Sequence, residues 1–266
     1  MSDFLNREDA PFSDSTWKLI DNTISEIAKN QLSARKLIYA EGPYGIGLQT
    51  LSGKEHSNNN NSIQLSVPDT RNLTVISGTF IISARSIAAF EQSGIRMDVD
   101  TLVKSVLDTA AQEDEILFYG NNSLGLTGLL NSKGTLKYKL KAWEQVGEAI
   151  EDIIASVNKL DESGFHGPFS LALAPSLYNK LFRRYPQAEL LEIDHLKSLV
   201  TDGIVKAPAI KKGGVLLASN KEYVSIVLGQ DLSAGFEGPS GRDYVFTLSE
   251  SIVLRMDVPQ SVCVLE

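Results

Sequence analysis

Residues 42–79 constrain the fold more than any other stretch, because they describe a structure that cannot stand alone. Glycines cluster at Gly42, Gly45 and Gly47, and four consecutive asparagines run from Asn58 to Asn61. Apolar residues alternate at Ile63, Leu65 and Val67 and again at Leu73 and Val75. Period-two alternation around a polar tip predicts a long two-stranded hairpin. An isolated hairpin is marginal in water, so its apolar face needs a neighbouring chain or domain to cover it. Association between copies is expected on this ground alone.

The rest of the chain alternates helical and strand periodicities. Ser13 or Asp14 can cap a helix running to about Arg35, with Trp17, Ile20, Ile24, Ile27, Ala28 and Leu32 on one stripe. A second helix opens at Asp98 or Asp100 and turns Leu102, Val103, Val106, Leu107, Ala110 and Ala111 inward. A third spans Trp143 to Leu160, carrying Val146, Ile150, Ile153 and Val157, and is ended by Gly164 and Pro168. Ser176 begins a short helix that Pro186 breaks, and Leu190 to Leu199 reads as another. Strands are expected at Ser170 to Ala174, Val215 to Ala218 and Tyr223 to Leu228, where Gly229 breaks the last, and along Tyr244 to Val258. Helices and strands interleave without regular βαβ units, which makes the chain α+β.

Composition excludes several function classes. Of 266 residues, 42% are apolar and 22% charged, the profile of an ordinary soluble protein with a sizeable core. The formal charge of −8 lacks the basic footprint of a general nucleic-acid coat. No apolar run approaches the roughly 20 residues of a membrane helix, and the N-terminal residues lack the pattern of a secretory signal. Cys263 is the only cysteine, so no intrachain disulfide forms; a reducing cytoplasm fits.

Motifs for chemistry mostly fail on physical grounds. Gly120 to Thr127 has the glycine and threonine spacing of a phosphate loop, but Leu126 stands where the phosphate-binding lysine belongs, so a structural turn is expected. His56, His166 and His195 are too scattered for a metal site. Glu192 and His195 share a helix face and read as a solvated surface pair, while Glu113-Asp114-Glu115 reads as a solvated helix end. Cys263 has no histidine near it in sequence to activate it, and no nucleophile elbow occurs. Arg183 and Arg184 form the one local basic spot, which reads from the residues as a cation-stabilised helix end.

One segment fits no catalytic pattern yet resembles a family closely. Leu228-Gly-Gln-Asp-Leu-Ser-Ala-Gly-Phe-Glu-Gly238 is similar to a signature of encapsulins, bacterial and archaeal proteins that assemble into hollow compartments. Asp3 to Pro11 (DFLNREDAP), Glu41 to Gly45 (EGPYG), Phe118 to Leu130 (FYGNNSLGLTGLL), Gly167 to Pro175 (GPFSLALAP) and Pro259 to Val264 (PQSVCV) resemble further family segments, in the family's order. The resemblance implies the fold of tailed-phage major capsid proteins. Its parts would be an N-terminal helix region (1–41), an extended hairpin loop (42–79), a peripheral domain in two pieces (80–133 and 218–266) and an axial domain (134–217).

It also implies the function: an icosahedral shell, with roughly sixty copies if one chain fills each symmetry position. The cargo would be a ferritin-like iron-oxidising protein or a dye-decolorising peroxidase, for iron storage or protection from oxidative stress. Such cargo carries a short C-terminal targeting peptide rich in Leu, Ile and Gly. The expected docking residues on the inner wall are Ile24, Ala28, Gln31, Leu32, Arg35, Tyr39, Asp231 and Leu232. Phe182, Arg183, Arg184, Tyr185, Pro186 and Gln187 are expected to line a five-fold pore, with Glu189 and Glu192 close enough to offset the arginines. No cofactor, nucleic acid or membrane is expected as a partner. Arg85 stands where flavin-binding relatives carry a tryptophan, so the stacking surface for flavin is missing. A phage capsid protein packaging DNA, and a hydrolytic or flavin-dependent enzyme, are the competing classes.

Overall fold

A computed structural model describes residues 3–60, 63–185 and 190–266. Asn61 at the expected hairpin tip, and Pro186, Gln187 and Glu189 in the expected pore segment, lie outside the described residues, as do the side chains of Asn58, Asn59, Asn60, Ile63 and Leu65.

The elements follow in order: α1 (Asp14–Gln31), α2 (Ala34–Leu37), β1 (Tyr39–Glu41), β2 (Thr50–Asn60), β3 (Ile63–Asn72), β4 (Thr74–Ser83), α3 (Ala84–Ser93) and α4 (Asp100–Tyr119). Then come β5 (Gly120–Asn121), β6 (Leu126–Thr127), β7 (Leu136–Tyr138), α5 (Glu148–Glu162), β8 (Phe169–Leu173), α6 (Pro175–Lys180) and α7 (Glu192–Leu199). The chain closes with β9 (Gly203–Lys206), β10 (Gly214–Ala218), β11 (Val224–Ser240), β12 (Asp243–Met256) and β13 (Val262–Leu265). Strands β1-β11-β12-β4 form one sheet and β7-β13-β10-β8-β9 a second, while β2 pairs only with β3. The mixed α+β class holds. The second sheet takes in β13 as well as strands from residues 134–218, although the sequence reading put residues 218–266 in one piece.

Two helices depart from their expected limits for identifiable reasons. The first was read to about Arg35, but it stops at Gln31 because buried Asp114 accepts the backbone N–H groups of Ser33 and Ala34, both at 2.9 Å. That carboxylate satisfies donors a new helix start leaves open, so α2 begins there. The third helix starts at Glu148 rather than Trp143, because Trp143 (φ 52°) and Gly147 (φ 102°) adopt left-handed backbone. Val146 therefore lies outside it. In α4 the stripe is narrower than read: Leu102, Val106 and Ala110 are buried, whereas Leu107 and Ala111 face out.

The strand expected to break at Gly229 does not. β11 runs on to Ser240 against β12, with register shifts at Leu228/Gln230, Gln230/Ser233 and Phe236/Gly238. Bulges admit extra residues and bend the strand, so a polar, glycine-containing run stays in the ladder. Helix α3 has no counterpart in the sequence reading, although its signals are present. Ser83 Oγ accepts the Ser86 N–H at 3.1 Å, and Gly94 closes the helix at φ 63°.

Three apolar clusters hold the parts together. One packs Ile20, Ile24 and Ala28 of α1 on Val106 and Ala110 of α4 and on Phe236, Phe246 and Leu248 of the first sheet. Phe80 and Phe246 stack there at 4.9 Å. A fully buried side chain such as Ile20 contributes about 2 kcal/mol. The second joins β8, β10 and β11 to the end of α4, and the third buries α5 and α7 against the five-stranded sheet.

Among the described residues, the hairpin β2–β3 is held at its root. Arg71 donates to the Met256 carbonyl at 2.9 Å and pairs with Asp257 at 3.0 Å. Asp257 also faces Arg255 at 3.5 Å, and Arg255 pairs with Glu41 of β1 at 2.5 Å. Beyond this root Val67, one of the alternating apolar positions, is exposed.

Candidate functional site

The 3.6-residue period of α1 sets Ile24, Ala28 and Leu32 on a line, and the bulged part of β11 runs beside it. Between them lies a cavity of about 520 Å³. It gathers Ile24, Ala28, Leu32, Arg35, Asp231 and Leu232 of the residues singled out from the sequence. Gln31 instead borders a separate depression with Leu107 and Pro208, and Tyr39 stands on β1, 59% exposed, away from the groove. The break at Leu32–Ser33 turns the chain before Tyr39 can join the line, whereas Gln31, the last residue of α1, lies on the side of the helix toward α4.

Leu5 and Arg7 complete the wall and were not anticipated as groove residues. Arg7 forks onto Asp21 at 2.7 and 2.8 Å, donates through Nε to the Ala234 carbonyl at 2.8 Å and lies 4.5 Å from the Trp17 ring. The N-terminal segment is thereby clamped across α1 and β11. Gly235 makes the approach possible, since a Cβ there meets the Leu5 carbonyl at 3.0 Å. The segment Asp3 to Pro11, one of those that resemble the family, was the available signal.

Arg35 organises the polar end. Its guanidinium forks onto Glu113 at 2.7 and 2.8 Å, reaches Asp231 at 2.7 Å and Glu250 at 2.8 Å. The expected solvated end at Glu113-Asp114-Glu115 is therefore overturned: Glu113 and Asp114 are buried, and α4 continues to Tyr119. Three carboxylates around one guanidinium leave a surplus of negative charge. Burial, then the nearby Glu113, push the Glu250 carboxyl up to about 9, so it holds its proton at neutral pH. Burial works against the Arg35 charge, yet its bonds to Glu113 and Asp231 hold its pKa above the ordinary value.

The basic spot resolves into two unlike arginines. Arg183 donates to Glu192 at 3.0 Å and to the carbonyls of Trp143 and Glu144 at 2.8 and 3.1 Å. Glu192 is buried rather than part of a solvated pair, and it also accepts the Gly147 N–H at 2.5 Å. Arg183 and Glu192 thus latch α7 to the loop before α5. Arg184 is exposed, as is Phe182, and the Tyr185 ring lies 5.1 Å from His195.

The motifs set aside as non-catalytic have structural roles. Gly120 to Gly128 form a tight β5–β6 turn in which a Cβ on either glycine collides with backbone. Cys263 is buried in β13, and burial raises its thiol to about 11. Arg85 is exposed in the first turn of α3 and offers no aromatic face. Among the described residues, no group of three or more His, Cys, Asp or Glu is placed to hold a metal, and no helix is long and apolar enough to cross a membrane.

Comparison with known proteins places this architecture. A family model described as "Encapsulating protein for peroxidase" matches residues 1–253. The type 1 encapsulin shell protein EncA of Myxococcus xanthus is 28% identical, over 100% of this chain and 97% of its own length. Among solved structures, the virus-like particle from Pyrococcus furiosus superposes with a TM-score of 0.74 at 21% identity, covering 94% of this chain and 99% of that one. The capsid of Myoviridae phage XM1 gives 0.58 at 12% identity, over 88% and 91%. The fold is thus shared with phage capsids, whereas the match that spans the sequence is to shell proteins. The chain belongs to the encapsulin family of shell proteins.

Proposed function

We propose that this chain is the repeating subunit of a closed icosahedral compartment, of roughly sixty copies, that sits in the cytoplasm and encloses a separate enzyme. The observation that carries the reading is the family match over residues 1–253, joined to a hairpin that pairs with no further strand among the described residues and leaves Val67 exposed. The cargo is a peroxidase or a ferritin-like protein, held by a C-terminal peptide in the groove along α1. In this reading residues 80–133 and the first sheet form the peripheral domain. Residues 134–217 form the axial domain, which shares its sheet with β13. Phe182 to Gln187 border the five-fold opening.

The test is the size of the purified protein. Size-exclusion chromatography and negative-stain microscopy are expected to show megadalton particles without added cofactor, and a monodisperse monomer or small dimer at neutral pH overturns the proposal. Phage capsids share the fold, so nucleic acid is measured as well. With −8 of charge per chain, particles are expected to show a protein-like ratio of absorbance at 260 and 280 nm.

A further inference from the structure

Strand β4 ends the first sheet: β12 pairs with one side of it, and no strand among the described residues pairs with the other. Three bonds tell which of its backbone groups face the open side. The Ala84 N–H, next after β4, donates to the Arg242 carbonyl at 3.0 Å, so even-numbered residues point toward β12. Thr101 Oγ1 of α4 donates to the Ile81 carbonyl at 2.5 Å, and the Leu73 N–H donates to the Gln49 carbonyl at 2.8 Å, both away from β12. Backbone groups alternate along a strand. Val75, Ser77 and Thr79 therefore turn their N–H and C=O groups to the open side, where none has a partner among the described residues.

This stretch is a slot with closed ends. Gln49 bounds it at Leu73 and Thr101 bounds it at Ile81. From Val75 to Thr79 it is about 17 Å long at the usual rise of a strand. Its far wall is a polar stripe of α4 that includes Thr101, Lys104, Ser105, Asp108 and Gln112, and a cavity of about 460 Å³ runs between the two. Exposed edges are ordinarily blunted by charge, by proline or by a covering element. Thr74–Ser83 contains no charged residue and no proline, and Val75 is 65% exposed. An edge in that state is a template for another strand.

We propose that the slot takes strand β2 from the hairpin of a second copy, joined to β4 by a backbone ladder. The proposal rests on the shell reading above and adds where the hairpin goes. The chain's own hairpin cannot fill the slot. Leu73 alone separates β3 from β4, so the two follow each other without a turn, and β2 begins where the slot ends. Strand β2 offers 11 residues without a proline, whereas β3 carries Pro68, which has no N–H to donate. Each chain has one such hairpin and one such slot. Every copy gives one strand and accepts one, a head-to-tail contact that passes from copy to copy until it closes.

The experiment reads the backbone in assembled particles. Residue-resolved hydrogen exchange is expected to show Val75, Ser77 and Thr79 protected like Ile76 and Phe80, about tenfold or more slower than unpaired amides. Ser77→Pro removes one edge donor and leaves the β12 side intact. It is expected to fold with unchanged circular dichroism and to cut particle yield by about tenfold. Ser77→Ala is expected to assemble like wild type, because the ladder uses no side chain. Benzoylphenylalanine in place of Thr79, in particles mixed from isotopically light and heavy chains, is expected to crosslink to residues 50–60 of a different copy.

Free exchange at Val75, Ser77 and Thr79 in intact particles, or a normal yield from Ser77→Pro, overturns the ladder and leaves the shell reading standing. A crosslink to a second β4, or to any segment other than β2, overturns the choice of occupant. If the wild-type protein forms no particles, the shell reading fails and this inference with it. Should Ser77→Pro misfold, exchange and crosslinking decide without it.

Discussion

Glu250 sits in the first sheet with its Oε2 on Arg35 and its Oε1 without a partner. Glu113 and Asp231 face the same guanidinium, so ionising all three carboxylates leaves two negative charges uncompensated around one cation. The folded protein therefore keeps a proton on Glu250 up to about pH 9 that the unfolded chain releases near 4.5. The folded pKa lies above the unfolded one. The stabilisation is thus complete below pH 4.5 and is lost progressively as pH rises to 9. Glu250→Gln keeps the neutral shape and removes the titration. Its stability relative to wild type is expected to rise between pH 5 and 9, by a few kcal/mol at the upper end. Denaturant melts at pH 5, 7 and 9 check this, and a pH-independent difference shows that Glu250 is already ionised. None of this chemistry was legible in the sequence. A run of three acids reads as solvated because the groups that bury it, Ser33, Arg35 and Glu250, lie 78 or more residues away. Glu192 was misread for the converse reason: its face pointed inward to Arg183, which periodicity on one short helix does not reveal.

At the scale of elements, periodicity served well wherever one face was buried and failed where a distant side chain or a bulge set the boundary. The stripe on α1 and the strands β8, β10 and β12 follow directly from their apolar spacing. The stop after Gln31 needed Asp114, and the continuation of β11 past Gly229 needed a partner strand with which to bulge. The hairpin was legible from its alternation, but its direction was not, because that rests on the ion pairs of Arg71, Asp257, Arg255 and Glu41. Each pair is partly exposed and contributes at most about 1 kcal/mol to folding, so its importance lies in aiming the hairpin at whatever covers it. Arg71→Ala is expected to leave the subunit folded, with unchanged far-ultraviolet circular dichroism, and to give few or heterogeneous particles in negative stain. Glu55→Ala, which among the described residues removes only the exposed bond to Ser66, serves as the control and is expected to assemble normally. Homogeneous particles of wild-type size from Arg71→Ala show that the root does not aim the hairpin.

For the assembled molecule, the net charge of each chain and the local charge at an opening point in opposite directions. In the shell proposed above, sixty or so subunits at −8 would make the particle strongly anionic, which would draw cations toward it. Screening limits that pull to about 8 Å at physiological salt, so passage through a narrow opening depends on the few charges beside it. If residues 182–185 border the five-fold opening as proposed, Arg184 supplies that charge, because Arg183 is spent on Glu192 and the carbonyls of Trp143 and Glu144. The two arginines then have separable effects. Arg184→Ala is expected to quicken iron uptake by ferritin-like cargo at low ionic strength, with the difference fading in salt, and to leave the melting temperature unchanged. Arg183→Ala strips buried Glu192 of its cation and frees α7 from the loop before α5, a loss of about 2–3 kcal/mol. It is expected to lower the melting temperature by several degrees with little change in the salt dependence of uptake. Equal uptake in wild-type and Arg184→Ala shells, with particles intact, means that Arg184 points away from the channel or that iron enters elsewhere. A salt-dependent gain from Arg183→Ala alone means that the latch opens in the assembled shell.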